Sequence, residues 1–165
     1  ILILFIDTNP LIPEFYSNAE YGPNVRTQDS STQKKWIEQE LANAPADVKW
    51  KIVVGHHPMF TGGNRLNGYD IKAIRRSLKP LFDKYGVDVY LAGHEHNLQH
   101  LVADSKTQHF ISGAASEKTA VKLISESKMA ASDYGFMVFS VKGDELFVQT
   151  INWKGEIIYT ALIKK

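Results

Sequence analysis

Apolar and polar positions along the chain fall into two regimes. Ile1-Leu2-Ile3-Leu4-Phe5-Ile6 is an unbroken apolar run, the pattern of a strand buried on both faces. Asp7-Thr8-Asn9-Pro10 ends it, and residues 9–30 carry three of the six prolines with little periodicity. That predicts a long irregular segment. Ser30-Ser31-Thr32 then offers N-caps to a helix over 33–44. Its buried stripe would be Trp36, Ile37, Leu41 and Ala44, and Pro45 stops it. Trp50-Lys51-Ile52-Val53-Val54 reads as a strand running straight into Gly55-His56-His57-Pro58.

Residues 61–69 form a loop by composition. Ile71, Ile74, Leu78, Leu81, Phe82 and Tyr85 recur at helical spacing over 70–85. Pro80 would interrupt a continuous helix there, so it is placed near the first turn of a second short helix, with Gly86 as C-cap. Val87-Asp88-Val89-Tyr90-Leu91 is the next strand, and it delivers Gly93-His94-Glu95-His96.

Beyond residue 97 the period changes to two. Residues 98–103, 109–112, 134–141, 145–151 and 156–163 are strand-like. Short polar turns at Lys142-Gly143-Asp144 and Trp153-Lys154-Gly155 join the last three into an antiparallel meander. The expected fold is therefore α/β, turning α+β toward the C-terminal end, with parallel strands followed by a meander. No repeat, linker or charge block divides the 165 residues.

Composition narrows the function classes. Nineteen basic and eighteen acidic residues leave a net charge of +1, which gives no electrostatic footprint for nucleic acid or an anionic membrane. No apolar run approaches the roughly 18 residues of a membrane span. The chain has no cysteine, which excludes disulfides, thiolate metal sites and cysteine nucleophiles. Opening inside an apolar strand, the sequence reads as a piece of a longer polypeptide, so a missing signal peptide carries no weight.

Five of the six histidines lie in or near two strand-to-loop junctions. His56 and His57 follow one strand; His94 and His96 follow another, with His100 just beyond. Ligands of α/β sheets sit outside the carboxyl ends of parallel strands, so neighbouring strands would bring both pairs to one place. Imidazole is the commonest protein ligand for zinc and iron. His94 and His96, two apart in an extended loop, would splay to two neighbouring ions, the arrangement of two-metal phosphatases. His100 and His109 read as hydrogen-bonded or surface residues, and Glu95 as a solvent-facing or outer contact. Asn97 either orients a ligand or caps a turn, and Asp7 shapes a turn. Lys34-Lys35 and Arg75-Arg76 read as solvated faces, and Trp36, Trp50 and Trp153 as packing.

Val53-Val54-Gly55-His56-His57-Pro58, followed by Leu91-Ala92-Gly93-His94-Glu95-His96-Asn97-Leu98-Gln99, resembles the calcineurin-like metallophosphoesterase superfamily. Within it, the chain looks most like the purple, or tartrate-resistant, acid phosphatases. Phe5-Ile6-Asp7-Thr8, Ile111-Ser112-Gly113-Ala114 and the hairpin from Tyr134 add to the likeness. The resemblance implies the C-terminal half of a single catalytic domain, half of a four-layer α/β/β/α sandwich, spanning residues 1–165. It implies two metal ions in the complete enzyme, iron with a divalent partner (iron, zinc or manganese). His56 and His94 would bind the divalent ion and His96 the ferric one. Asn64 and Arg65 stand in the loop where the family usually carries a further histidine, its other acid; Arg65 either contacts phosphate through its forked donors or is a mobile surface charge. The implied reaction is hydrolysis of phosphomonoesters or phosphoproteins by in-line attack of a hydroxide generated at the metal centre. A secreted or periplasmic location is implied by the same likeness.

The family's upstream motifs Gly-Asp-x-Gly, Gly-Asp-x-x-Tyr and Gly-Asn-His-Asp have no counterpart here. They supply the aspartates, including the bridging one, and a tyrosine and an asparagine. Three imidazoles do not offset the charge of two multivalent ions. The chain alone is therefore expected to hold metal weakly and to have little activity. Its cut sandwich is expected to self-associate through bare strand edges. The alternatives are an inactive binding module that kept the fold, and a related phosphodiesterase or nucleotidase, which shares Gly-His-x-His.

Overall fold

In the computed structural model, which describes residues 1–104 and 106–165, the two faces of the main sheet are set by residue alternation. β1 (Leu2–Phe5), β2 (Lys51–Val54), β3 (Val89–Ala92) and β5 (Gln108–Ser112) run parallel side by side. β4 (Leu98–Leu101) pairs antiparallel with β5, and β6 (Ser127–Ala131) pairs antiparallel with β4. The order is β1-β2-β3-β5-β4-β6. Leu4, Val53, Tyr90 and Ile111 point to one face, where they pack against the helices. Their neighbours Ile52, Val89 and Phe110 point to the other, against Leu146 and Val148 of a second sheet. A period of two thus feeds two cores from one set of strands.

α2 (Ser30–Ala42) and α3 (Tyr69–Tyr85) cover the first face, with a short α1 (Gly22–Val25) before them. The second face carries β7 (Gly135–Lys142), β8 (Glu145–Asn152) and β9 (Ile157–Lys164), an antiparallel meander. Helices, mixed sheet and meander make three stacked layers of the expected sandwich. Two polar bonds tie the sheets together: Trp50 Nε1 donates to the Gly143 carbonyl at 2.9 Å, and His100 Nδ1 meets Tyr159 Oη at 2.8 Å. His100 and His109 are both buried and hydrogen-bonded, as expected.

Several sequence expectations needed correction. Helix α3 is continuous, with Pro80 inside it. Ile71, Ala73, Ile74, Leu78 and Phe82 anchor its buried stripe, while Pro80 and Arg76 are on the exposed side. Pro80 leaves the Arg76 carbonyl without its helical partner, and both residues are exposed. Gly86 ends the helix as expected, in the left-handed region at φ 63°.

The cap of α2 is Asp29, whose carboxylate accepts from the Ser31 and Thr32 amides at 2.8 and 3.2 Å. Trp36 is off the buried stripe, which consists of Ile37 and Leu41. Trp153 is exposed as well, at a hairpin tip. β1 is an edge strand with Leu4 buried, whereas Ile3 and Phe5 are exposed on the meander side. β6 was missed because Ser127-Lys128-Met129-Ala130-Ala131 has little strand propensity; pairing with β4 imposes its conformation. The irregular stretch after β1 proved to hold two 3₁₀ turns and α1.

Candidate metal centre

The carboxyl ends of β1, β2 and β3 lie together because these strands are adjacent and parallel. Each ends in a residue of chemical interest: Thr8 after β1, His56 and His57 after β2, His94 after β3. The ladder continues into the loops. Gly55 N donates to the Leu91 carbonyl and Gly93 N to the His56 carbonyl, both at 3.0 Å. These bonds fix the two glycine-histidine turns against each other. Gly55 is required by space: a Cβ there would lie 2.5 Å from Tyr90 Oη and 2.7 Å from Thr8 Cγ2. That Tyr90 hydroxyl donates to the His57 carbonyl at 2.7 Å.

Ligand atoms of His56, His57 and His94 come within 4.8 Å of one another. His94 Nδ1 and His56 Nε2 are 3.0 Å apart. Two nitrogens on one tetrahedral zinc would be separated by about 3.3 Å, so this hydrogen-bonded pair stands close to the spacing that a shared cation would need. His94 holds φ +64°, the one positive φ outside glycine among the described residues. A side chain in that region costs roughly 1 kcal/mol or more and persists where surrounding contacts enforce it.

The His94 ring is held from behind by Asp70, in the first turn of α3. Asp70 is 2% exposed; its Oδ2 accepts from His94 Nε2 at 3.0 Å and its Oδ1 from the Ile71 amide at 2.9 Å. A carboxylate on the far nitrogen of an imidazole is the usual outer partner of a metal-binding histidine. His57 Nδ1 is likewise held, by Thr8 Oγ1 at 2.7 Å. The donor set fits a divalent cation: soft-to-borderline nitrogens, fixed from behind, at one strand edge.

Electrostatics agree. Burial, then the charges of His94, His96 and Arg65, lower the His56 pKa. Burial and its two imidazole neighbours depress His57 to about 3, so its ring is neutral. Burial pushes the Asp70 carboxyl up, but the His94 and Ile71 hydrogen bonds and the nearby positive charge outweigh it and keep the pKa below the ordinary value.

The other sequence candidates fall around this group. His96 Nδ1 meets Glu117 Oε2 at 2.8 Å, outside the three-imidazole group. Arg65 Nη1 lies 3.3 Å from Asp70 Oδ2, so its half-exposed guanidinium is tied to the cluster. Arg65 and Asn64 line a cleft of about 590 Å³ with Tyr69, Asp70, Val121 and Lys122. Glu95 is buried, where the sequence suggested a solvent-facing or outer role; it accepts from the Arg65 amide at 2.7 Å and anchors that loop. Asn97 is buried too, accepting from Gln99 Nε2 at 2.6 Å and donating to Thr119. Sequence reasoning brought His57 to the site without giving it a role, and passed over Thr8 and Asp70 as site residues. The only signals were the second histidine beside His56 and an acid opening the apolar period of α3.

A family model described as calcineurin-like phosphoesterase matches residues 7–98, more than half of the chain and the whole strand-end cluster. Among curated proteins, purple acid phosphatase 17 of Arabidopsis thaliana is 34% identical over 120 residues, which are 70% of this chain and 35% of that protein. The chain thus spans about a third of the length of such relatives. Among solved structures, GAP50, the anchor in the inner membrane complex of Plasmodium, superposes at TM-score 0.79 with 24% identity over 98% of this chain and 48% of its own. The purple acid phosphatase PPD1 from yellow lupin seeds gives 0.70 and 19%, over 83% of this chain and 29% of its own. Both share the fold.

Proposed function

The chain belongs to the calcineurin-like phosphoesterase family, and on that premise we propose that it carries the divalent-metal side of a phosphomonoesterase site. The observation that carries this reading is the 3.0 Å approach of His94 Nδ1 to His56 Nε2, backed by Asp70. A divalent cation held there supplies Lewis-acid polarisation of a phosphoryl oxygen and eases ionisation of water.

The chain's own residues do the rest. His56 and His94 hold the ion; Asp70 keeps the His94 ring in place. Arg65, 49% exposed on its side chain and steadied by Asp70, is placed to receive phosphate oxygens through its forked donors. Asn64 adds a neutral donor at the rim of the same cleft. The substrates are small phosphomonoesters or phosphoproteins, taken up with cleavage of the phosphorus–oxygen ester bond. His96, beside Glu117, belongs to the second ion, iron with zinc, manganese or a further iron as divalent partner.

Carboxylates are scarce at this centre. Asp70 is spent on His94, the Ile71 amide and Arg65, so neutral imidazoles carry the positive load. The chain by itself is therefore expected to hold one divalent ion weakly and to turn over slowly. Metal analysis after dialysis against zinc, with p-nitrophenyl phosphate hydrolysis, tests this. Two tightly held ions per chain with fast turnover would show that the carboxylate argument is wrong. A His94→Ala chain that keeps its zinc would remove the centre altogether and leave a non-catalytic module of the same fold.

A further inference from the structure

The three clustered imidazoles are not equivalent. We propose that His56 and His94 hold the cation while His57 does not ligate, and instead presents an N–H to the phosphoryl oxygen bound beside it, a role set by Thr8. This rests on the phosphoesterase reading above and deepens it.

Hydrogen placement on Thr8 decides the matter. Thr8 is 1% exposed, and its Oγ1 accepts the His57 amide N–H at 3.2 Å. Its own hydroxyl hydrogen still needs an acceptor, because leaving it unpaired in a buried place is costly. His57 Nδ1, at 2.7 Å, is the one other partner of that oxygen among the described residues. Nδ1 must then be the bare nitrogen, and the proton of the neutral ring sits on Nε2. A nitrogen carrying a proton cannot coordinate a cation.

His57 Nε2 has no hydrogen-bond partner among the described residues. Yet Thr150 Oγ1 is the sole buried side-chain polar atom without a partner among the described residues. Nε2 is therefore not sealed from solvent, although His57 as a whole is 2% exposed. The His57 ring centre lies 4.8 Å from that of His56 and 4.3 Å from that of His94.

His94 is set the opposite way. Asp70 can only accept, so Nε2 of His94 carries the proton and Nδ1 keeps its lone pair toward His56. His56 is exposed, and no bond ties its Nδ1 among the described residues. Its proton can move to Nδ1 through water when Nε2 is needed for the cation. One acceptor-backed histidine, one free histidine and one donor-backed histidine give two ligands and one hydrogen-bond donor. A fixed, uncharged donor beside the cation favours the growing charge on the phosphoryl oxygen without repelling the metal.

Imidazole nitrogen NMR of the whole chain, with zinc and inorganic phosphate as probes, tests this. In the metal-free chain His57 should show its proton on Nε2, as should His94. Zinc should shift His94 Nδ1 and His56 Nε2 and leave the His57 nitrogens in place. Thr8→Val should mix the His57 tautomers, and Thr8→Ser should keep them; the unsubstituted chain decides if Thr8→Val does not fold. His57→Gln should bind zinc as the parent does, while zinc-loaded chain loses about tenfold in phosphate affinity. A proton on His57 Nδ1, or zinc coordination at His57, overturns the assignment. Absence of zinc uptake overturns the phosphoesterase reading instead, and the metal-free tautomer still judges this one.

Discussion

Acid should destabilise the chain through one buried imidazole outside the candidate centre. His109, on β5, is 2% exposed and stacks on Tyr90 with ring centres 5.1 Å apart. Its Nδ1 donates to the Tyr90 carbonyl and its Nε2 accepts the Met59 amide, both at 3.2 Å. Protonation would turn that acceptor into a second donor and place a charge in the core. Burial depresses the pKa to about 4, against partial opposition from the carbonyls of Tyr90 and Phe60. The unfolded ring titrates near 6.5. Stability is then complete above about pH 6.5 and is lost as the pH falls toward 4, because the unfolded chain takes up a proton the folded one refuses. A shift of about 2.5 units is worth roughly 3 kcal/mol in full, and about 2.5 kcal/mol at pH 4.5.

The assay is urea unfolding near neutral pH and near pH 4.5, for the parent and for His109→Gln. Glutamine offers a neutral acceptor and donor of similar reach and cannot titrate. The parent should lose about 2.5 kcal/mol more than the variant on acidification. Equal losses would refute the reasoning, since every other titrating group is common to both. Met59 lies two residues beyond His57, so the same protonation would loosen the Gly55–Pro58 turn that carries the centre.

Thr150 is buried with its Oγ1 unpartnered, so Thr150→Val should raise stability by about 1 kcal/mol in chemical denaturation; a loss would mean the hydroxyl is bonded. Pro80→Ala restores an amide in α3 on its exposed side and should stabilise by about 1 kcal/mol or more, read as an increase in melting temperature. Ile1, Ile3 and Phe5 are exposed at the β1 edge; sedimentation should show self-association that Phe5→Lys weakens, and a monomer at all concentrations would contradict this.

Legibility followed from how far apart in sequence the causes lie. The order of helices and strands was readable because α3 and the meander declare themselves within a few residues, by period 3.6 and by period two with polar turns. β6 was not, since only its partner β4 makes Ser127–Ala131 extended. Pro80 misled because the cost of interior proline is lower where both it and the residue it leaves unpaired are exposed, as Arg76 and Pro80 are here. β1 misled because an apolar run says that both faces avoid water in some context, not that this chain covers both; among the described residues β2 is its one neighbour in the sheet.

The candidate centre divides along the same line. His56 and His94 were readable because glycine-histidine turns at strand ends imply convergence once the strands are parallel, and the β2–β3 register makes them neighbours. What each imidazole does was not readable, because it depends on the atom behind it. Asp70 lies 24 residues from His94, and Thr8 lies 49 from His57. Both partners are polar residues next to structural boundaries, where capping explains them equally well in one dimension. Only three-dimensional placement distinguishes a carboxylate that leaves a lone pair facing the cluster from a hydroxyl that leaves a proton there. Residue type therefore announces a candidate metal centre, while the second contact of each ring is what separates a would-be ligand from a would-be hydrogen-bond donor.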